Sequence, residues 1–255
     1  MRTEKDIVLS KITGISRLRV ESDGPGIRTL IPLSGCPLHC RFCLNKPFQA
    51  EKMGKWYTPE GLYEEVRIDN LYFMASSGGV TFGGGEPALQ SEFIRRFRDI
   101  CSSSWSVMIQ TSLNVHKEHI KRLIGIIDHW YIDIKDMNPA TYKSYTGKSN
   151  TLVLLNLRYL IQQGEAEKIT IRVPHIPQYN TCQDVKKSIE QLHSMGLKTE
   201  EFNYVIPTEK DDEKASETKS NSGGFTWRKL WRRNQRLQLM GFIDDINNDN
   251  DDWDW

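Results

Sequence analysis

DGPGIRTLIPLSGCPLHCRFCLN, residues 23–45, is the stretch from which the rest of the chain is read. It sets Cys36, Cys40 and Cys43 at the spacing C-x3-C-x2-C, just after a glycine-containing turn and a short apolar run. Three thiolates on one tight loop can hold three corners of a cubane [4Fe-4S] cluster, whereas an electron-transfer cluster takes four cysteines and closes every iron. Three leave one iron open, and an open iron can chelate a substrate. A zinc site built from Cys36, His39, Cys40 and Cys43 is the alternative reading. Structural zinc, however, splits its ligands into two pairs on separate turns, and four ligands within the eight residues 36–43 would be crowded.

The totals narrow the class. A chain of 255 residues suits one sizeable α/β domain with a short appendage. Lys plus Arg is 34 against 33 for Asp plus Glu, a formal charge of +1, so the bulk composition gives no sign of a nucleic-acid binder. Of five cysteines, three crowd into one loop, which argues against a disulfide scaffold and for a reducing compartment. The N-terminus lacks the apolar core of a secretory signal, and no run of about 18 apolar residues suggests a membrane span. A cytoplasmic location is the expectation, with no membrane partner.

Outward from the cysteine loop, the pattern alternates between strand and helix. Residues 6–20 read as an extended lead-in and 29–33 as a strand, with Pro32 suited to an edge or a strand end. Thr58 and Pro59 open a helix as N-cap and first residue, with Leu62, Val66 and Leu71 or Tyr72 on one face. Residues 79–82 are a strand running into Gly83-Gly84-Gly85-Glu86-Pro87. Ser91 caps a helix carrying Phe93, Ile94, Phe97 and Ile100, followed by strand 106–111, helix 117–127 and strand 129–134. Helix 150–163, strand 168–173, helix 184–195 with Gly196 as its stop, and strand 202–206 complete the series. Six strands alternating with helices call for a parallel sheet with helical crossovers.

After Pro207 the character changes. Residues 208–224 are polar, charged and rich in Gly and Ser, the composition of a linker or mobile loop. In 225–255 a basic segment carrying Trp227 and Trp231 precedes a strongly acidic tail. Basic residues interleaved with tryptophan are a weak pointer to nucleic acid; a helix packing its tryptophans inward is the plainer reading. The expected organisation is therefore 1–207, 208–224 and 225–255.

Several residues outside the cysteine loop carry charge or backbone freedom where chemistry needs it. Gly84 and Gly85 let the backbone approach a ligand with no Cβ in the way. Asp133 and Lys135 are two apart on a strand and point to one side. In a barrel interior an uncompensated charge is costly, so they should pair with each other or with a charged ligand. Arg172 stands among apolar neighbours on its strand, and Cys101 and Cys182, with no cysteine near either, are read as packing residues.

The order DGPGIR, GC-x3-C-x2-C-x-N, GGGEP, D-x-K and strand-borne Arg resembles that of the glycyl-radical-enzyme activating enzymes, a family of radical S-adenosylmethionine (SAM) proteins, over residues 8–207. The resemblance implies a partial (β/α)6 radical SAM barrel with the [4Fe-4S] loop after its first strand and a divergent C-terminal tail. It implies that Cys36, Cys40 and Cys43 hold the cluster, and that Gly84, Gly85 and Glu86 meet the amino group of SAM. Lys135 would meet the SAM carboxylate with Asp133 nearby, and Arg172 would contact SAM or order the site. The turn with Asp23, Gly24, Gly26 and Arg28 would dock the partner's glycine loop. The implied reaction is reductive cleavage of SAM and abstraction of a glycine Cα hydrogen from a glycyl radical enzyme. A flavodoxin or ferredoxin-type protein would donate the electron.

Departures from the family pattern are localised. Gln110-Thr111-Ser112-Leu113 stands where activases often read Asp-Thr-Asn-Gly, Gln178 stands where glycine is common, and Thr208 replaces residues that flank the adenine. The terminal Asp254-Trp255 resembles ends by which some cytosolic iron-sulfur proteins are recognised for cluster delivery. Rival readings are a radical SAM enzyme acting on a nucleotide or small metabolite, an activator of anaerobic ribonucleotide reductase, and an inactive metal-binding relative.

Overall fold

The computed structural model describes residues 7–20, 23–43, 45–46, 54–176 and 178–203. Clustering of the backbone divides the chain into Met1–Phe202 and Asn203–Trp255; of the second unit only Asn203 is described. The expected linker 208–224, the basic helix and acidic tail 225–255, the adenine-side Thr208 and the end of the strand expected at 202–206 lie outside the described residues.

The first unit is built on a nine-stranded sheet. Besides the strand that carries the loop, three short strands lie in the N-terminal part: β1 (Ser10–Ile12), β2 (Ser16–Val20) and β4 (Lys55–Tyr57). All are antiparallel to their neighbours, with β1 and β2 pairing β3 (Ile27–Leu33) and β4 pairing β1. From β3 the order runs through β5 (Gly79–Gly84), β6 (Ser106–Thr111), β7 (His129–Asp133) and β8 (Ile169–His175) to β9 (Lys198–Asn203). The pairings from β3 to β8 are parallel. This is the parallel sheet with helical crossovers that the alternation of elements predicted, in keeping with the partial barrel that the resemblance implied.

Period-two alternation gives the sheet two unlike faces. Ile31, Leu33, Val80, Phe82, Val107, Ile109, Trp130, Ile132, Ile169 and Ile171 point outward into the core beneath the helices. Their neighbours Arg28, Thr81, Met108, Gln110, His129, Tyr131, Asp133, Thr170 and Arg172 take the opposite face. Contacts between those side chains follow the face across strands: Arg28 Nε donates to Thr81 Oγ1 at 2.6 Å, His129 Nε2 lies 2.9 Å from Thr170 Oγ1, and Arg172 stacks over Tyr131 at 5.6 Å. A parallel sheet covered on both faces would read as continuous apolar runs; here one face is polar, as a concave site needs.

Among the described residues, the helices from Pro59 onward are α1 (Pro59–Val66), α2 (Asn70–Ser76), α3 (Ser91–Ile100), α4 (Lys117–Leu123), α5 (Pro139–Thr146), α6 (Thr151–Gln162) and α7 (Cys182–Ser194). Thr58 caps α1 as expected, accepting from Gly61 N. The single long helix expected there is broken by a 3-10 turn at Arg67–Asp69. As a result Leu71 and Tyr72 are exposed and Phe73 is the buried residue of α2, contrary to the expected face. α4 stops at Leu123, where Ile124 turns extended, short of the expected 127. α7 begins two residues before the expected start, because Thr181 and Asp184 form a reciprocal capping box. Pro32 is the penultimate residue of an interior strand, so the edge reading falls and the strand-end reading stands. Cys101 does pack against the core, but Cys182 is exposed at the start of α7 and is not a packing residue.

α5 has no counterpart in the sequence reading. Asn138 accepts from Ala140 N and Thr141 N, Pro139 is the first helical residue, and Gly147 closes it in the left-handed conformation at φ 74. Tyr142, Tyr145 and Thr146 are its buried side.

Candidate active site at the cysteine loop

Residues 34–43 leave the end of β3, and three sets of contacts hold them. The first is α5: His39 N donates to Thr146 O at 2.9 Å, Arg41 N to Tyr145 O at 3.1 Å, and the Tyr145 hydroxyl to Phe42 O at 3.2 Å. The second is a cluster of rings, Phe42, Tyr145 and Tyr179, with centroids 5.2–6.5 Å apart. The third is the glycine turn at the end of β5. Gly85 N donates to Leu33 O at 2.9 Å, Glu86 N to Gly35 O at 2.7 Å, and Asn45 Nδ2 to Gly84 O at 2.8 Å.

That last seam explains the glycines. A Cβ on Gly84 would lie 2.8 Å from both Leu33 N and Pro32 Cα, and one on Gly85 would fall onto the Gly35 carbonyl. Both obstacles are backbone and cannot swing away. Gly84 in addition holds φ 97, outside the range of ordinary residues. The turn and the cysteine loop therefore form one backbone unit.

The Glu86 side chain is fully buried. Oε1 accepts from Ala88 N at 3.1 Å and Thr111 Oγ1 at 2.6 Å; Oε2 accepts from Ser112 N at 2.8 Å and Ser112 Oγ at 2.6 Å. Four donors use the acceptor sites of a carboxylate. Burial raises the Glu86 carboxyl above its ordinary value, and the hydroxyl and amide donors of Ser112 and Thr111 oppose that rise. The Thr111-Ser112 pair, read in the sequence only as a departure, is thus what anchors the glycine turn to β6. Asn156 of α6 holds the next two turns of chain, donating through Nδ2 to Leu113 O at 2.9 Å and Val115 O at 2.8 Å.

Asp133, Lys135 and Arg172 come together as one ionic group. Arg172 Nε is 2.6 Å from Asp133 Oδ1, its register partner across β7 and β8, and Lys135 Nζ is 3.1 Å from Oδ2. Desolvation pushes the Asp133 carboxyl up, but the Arg172 guanidinium and Lys135 ammonium outweigh it and hold it below the ordinary value. The group sets two positive charges about this carboxylate. That charge reaches the cysteines: burial raises the Cys40 thiol to about 11 while Lys135 pulls it down. Cys36 is raised further, to about 12, by burial and by the Glu86 carboxylate.

All three thiols are half-buried and free of disulfides. Burial disfavours the bare Cys36 and Cys40 thiolates, so these two need a bound cation to hold them in the thiolate form. Among the described residues no three His, Cys, Asp or Glu side chains converge as they would on a single metal ion. A zinc ion held tetrahedrally by Cys36, His39, Cys40 and Cys43 requires that convergence; a cubane does not, because each thiolate takes a different iron.

At the foot of the polar face lies the turn before β3. Asp23 is paired with Arg19, accepts from Gln110 Nε2 at 2.9 Å, and receives Thr81 Oγ1 on its backbone carbonyl at 2.8 Å. Arg28 is fully buried and donates to Val80 O at 2.7 Å, Ser106 O at 2.9 Å and Pro25 O at 3.3 Å as well as to Thr81. Burial lowers its guanidinium to about 10. Gly26 sits where a Cβ would meet the backbone of Ser76 and Gly78, and Gly24 where it would meet the Met108 sulfur at 2.5 Å. The cysteines, the glycine turn and the ionic group therefore gather at the C-terminal strand ends, with Asp23, Gly24, Gly26 and Arg28 at the other end of the same face. Gln110, Thr111, Ser112 and Asn156 are the residues the sequence reading did not assign; for Thr111 and Ser112, short polar side chains at the end of a β-strand were the available signal.

The Radical SAM superfamily profile matches residues 30–217. The pyruvate formate-lyase 1-activating enzyme of Escherichia coli is 32% identical over 189 residues, covering 72% of each chain. The pyruvate formate-lyase-activating enzyme of Listeria monocytogenes is 30% identical over 198 residues, covering 74% of each. The (2S)-3-sulfopropanediol dehydratase activating enzyme of Klebsiella oxytoca is 30% identical over 231 residues, covering 66% of this chain and 72% of its own. Among solved structures, Streptococcus suis SuiB bound to S-adenosylmethionine has a TM-score of 0.57 at 15% identity, covering 83% of this chain and 46% of its own, a likeness of fold. Radical SAM proteins use a [4Fe-4S] cluster and SAM, and a three-thiol loop joined to a glycine turn beside a cationic group fits both. The chain belongs to the radical SAM superfamily, in the activating-enzyme family that includes the pyruvate formate-lyase activases.

Proposed function

We propose that this chain activates a glycyl radical enzyme by removing a Cα hydrogen from one of its glycines. The observation that carries the reading is the seam between the cysteine loop and the glycine turn, with the Asp133–Lys135–Arg172 group beside it. When bound, the cluster and SAM supply the electron and the hydrogen-abstracting radical chemistry. Cys36, Cys40 and Cys43 are the cluster ligands in this reading, and the loop's tie to α5 keeps their spacing rigid.

Glu86, with its carboxylate fully engaged, acts by fixing the turn; the backbone of Gly84 and Gly85 is what meets the amino group of SAM. Lys135 and Arg172 place two cations beside the glycine turn, a setting that suits the carboxylate of SAM. Asp23, Gly24 and Gly26 shape the polar face for a flexible glycine-bearing segment, and the buried Arg28 props that turn from below. The electron donor is a flavodoxin or ferredoxin-type protein. The test is EPR of the reconstituted protein mixed anoxically with SAM, a reductant and a candidate glycyl radical enzyme from the same source. A glycine-centred doublet is the expected result. SAM cleavage without a doublet for any candidate would instead favour a small-molecule substrate.

A further inference from the structure

Behind the glycine turn, on the helix side, lies a cavity of about 430 Å³ that the proposed reaction does not use. Val8, Leu89 and Phe93 form its apolar wall, and Ser91, Glu92, Arg96, His119 and Arg122 line the rest. Arg122 Nη1 donates to Ser91 Oγ at 3.4 Å, and Ser91 Oγ lies 3.0 Å from His119 Nδ1. With the arginine as donor to the hydroxyl, the hydroxyl proton goes to Nδ1, and His119 carries its own proton on Nε2. Burial and the adjacent Arg122 both lower the His119 imidazole, in keeping with that neutral form.

The carboxylate in the cavity is already engaged. Glu92 accepts from Arg95 at 2.8 and 3.3 Å and from Arg96 Nε at 3.0 Å, which holds it at about 2. Arg122 forms no salt bridge among the described residues; its polar contact there is the neutral Ser91 hydroxyl. The cavity thus presents a guanidinium, an imidazole N–H and a second arginine against one committed carboxylate, with an apolar wall opposite. A site with hydrogen-bond donors on one side and hydrocarbon on the other matches a small molecule that has an anionic head and an apolar body.

We propose that this cavity binds a small organic anion, a phosphate or a carboxylate, at a site separate from that of SAM. The head lies against Arg122, His119 Nε2 and Arg96, and the body against Val8, Leu89 and Phe93. Because Leu89 and Gln90 belong to the 3-10 turn Pro87–Gln90 that joins the glycine turn to Ser91, occupancy is placed to bear on the turn that meets SAM.

The test uses the full, cluster-loaded chain under anoxic conditions, titrated separately with inorganic phosphate, phenyl phosphate and benzoate. The readouts are calorimetry and the His119 Nε2 nitrogen shift. Saturable binding with a His119 shift is expected, and phenyl phosphate should bind about tenfold tighter than inorganic phosphate through the apolar wall. Phenyl phosphate against benzoate identifies the head group. Arg122→Gln, at an exposed position that leaves folding intact, should weaken binding about tenfold or more, and Glu92→Gln should strengthen it. Lack of saturation by about 10 mM in every arm, or affinity unchanged in Arg122→Gln, would overturn the proposal. Either failure leaves the EPR test of the activase reading untouched.

Discussion

Replacing single glycines by alanine separates the two reasons a glycine can be required, and the site's seam makes the contrast sharp. Gly125 holds φ 79 with open space around its missing Cβ, so Gly125→Ala costs backbone strain alone, about 1–2 kcal/mol. Gly85 has an ordinary φ, but its Cβ would fall on the Gly35 carbonyl. Gly85→Ala therefore costs overpacking, about 1–3 kcal/mol, and forces the turn off the cysteine loop. Gly84 carries both burdens, φ 97 and two backbone atoms at 2.8 Å, so Gly84→Ala should cost about 2–5 kcal/mol. Anoxic urea denaturation gives the stabilities, and iron content per chain reports the loop. The predicted order is Gly84 most damaging, then Gly85, with Gly125→Ala alone keeping full iron content. If Gly85→Ala kept its iron and lost under about 0.5 kcal/mol, the claim that turn and loop are one unit would be refuted.

Other expectations follow from the same contacts. Asp133 has a lowered carboxyl, so its contribution to stability is present above the ordinary value near 3.8 and is lost as pH falls through its lower folded value. Asp133→Asn should therefore flatten the acid limb of a urea-stability profile and cost about 3 kcal/mol at neutral pH, since two clustered cations lose their anion; an unchanged acid limb would contradict the pairing. Gln178 is held at φ 72, and Gln178→Gly should raise stability by up to about 1 kcal/mol, read from the urea midpoint. Leu113 is also left-handed, at φ 58, but its side chain is fully buried. Leu113→Gly should accordingly destabilise by about 2 kcal/mol, because the lost core contact exceeds the relieved strain. Asn156→Ala removes the donor to the Val115 carbonyl and one of the two donors to the Leu113 carbonyl, which keeps the Val115 amide, and should cost about 1–2 kcal/mol, with faster amide exchange in residues 112–115 as the local sign.

The parts of the site that could be read from the sequence are those whose chemistry is local in the chain. Cysteine spacing, the run of glycines and the D-x-K step on a strand each declare themselves within a few residues. The sheet was legible for a similar reason, since Val80 and Phe82 flank Thr81 and residues 106–111 have the composition of a strand. What escaped was non-local. Glu86 reads as a ligand-binding carboxylate until Thr111 and Ser112, on another strand end, are seen to take up its oxygens. Arg28 is grouped by the resemblance with a docking turn, whereas its donors end on Thr81, Val80, Ser106 and Pro25. α5 was missed although Asn138, Pro139 and Gly147 are ordinary start and stop signals, because its buried side is tyrosine and threonine rather than aliphatic. The resemblance places glycine at positions 113 and 178, and both keep left-handed backbone under a side chain; the backbone is retained where the residue type is not.

The central claim is that the cysteine loop leaves one iron of a cubane open for SAM. EPR of the anoxically reconstituted, reduced protein with and without SAM tests it most directly, alongside iron analysis. About four irons per chain and a cluster signal that changes on SAM addition are predicted. A signal that SAM leaves unaltered, or a preparation holding zinc in place of iron, would contradict it.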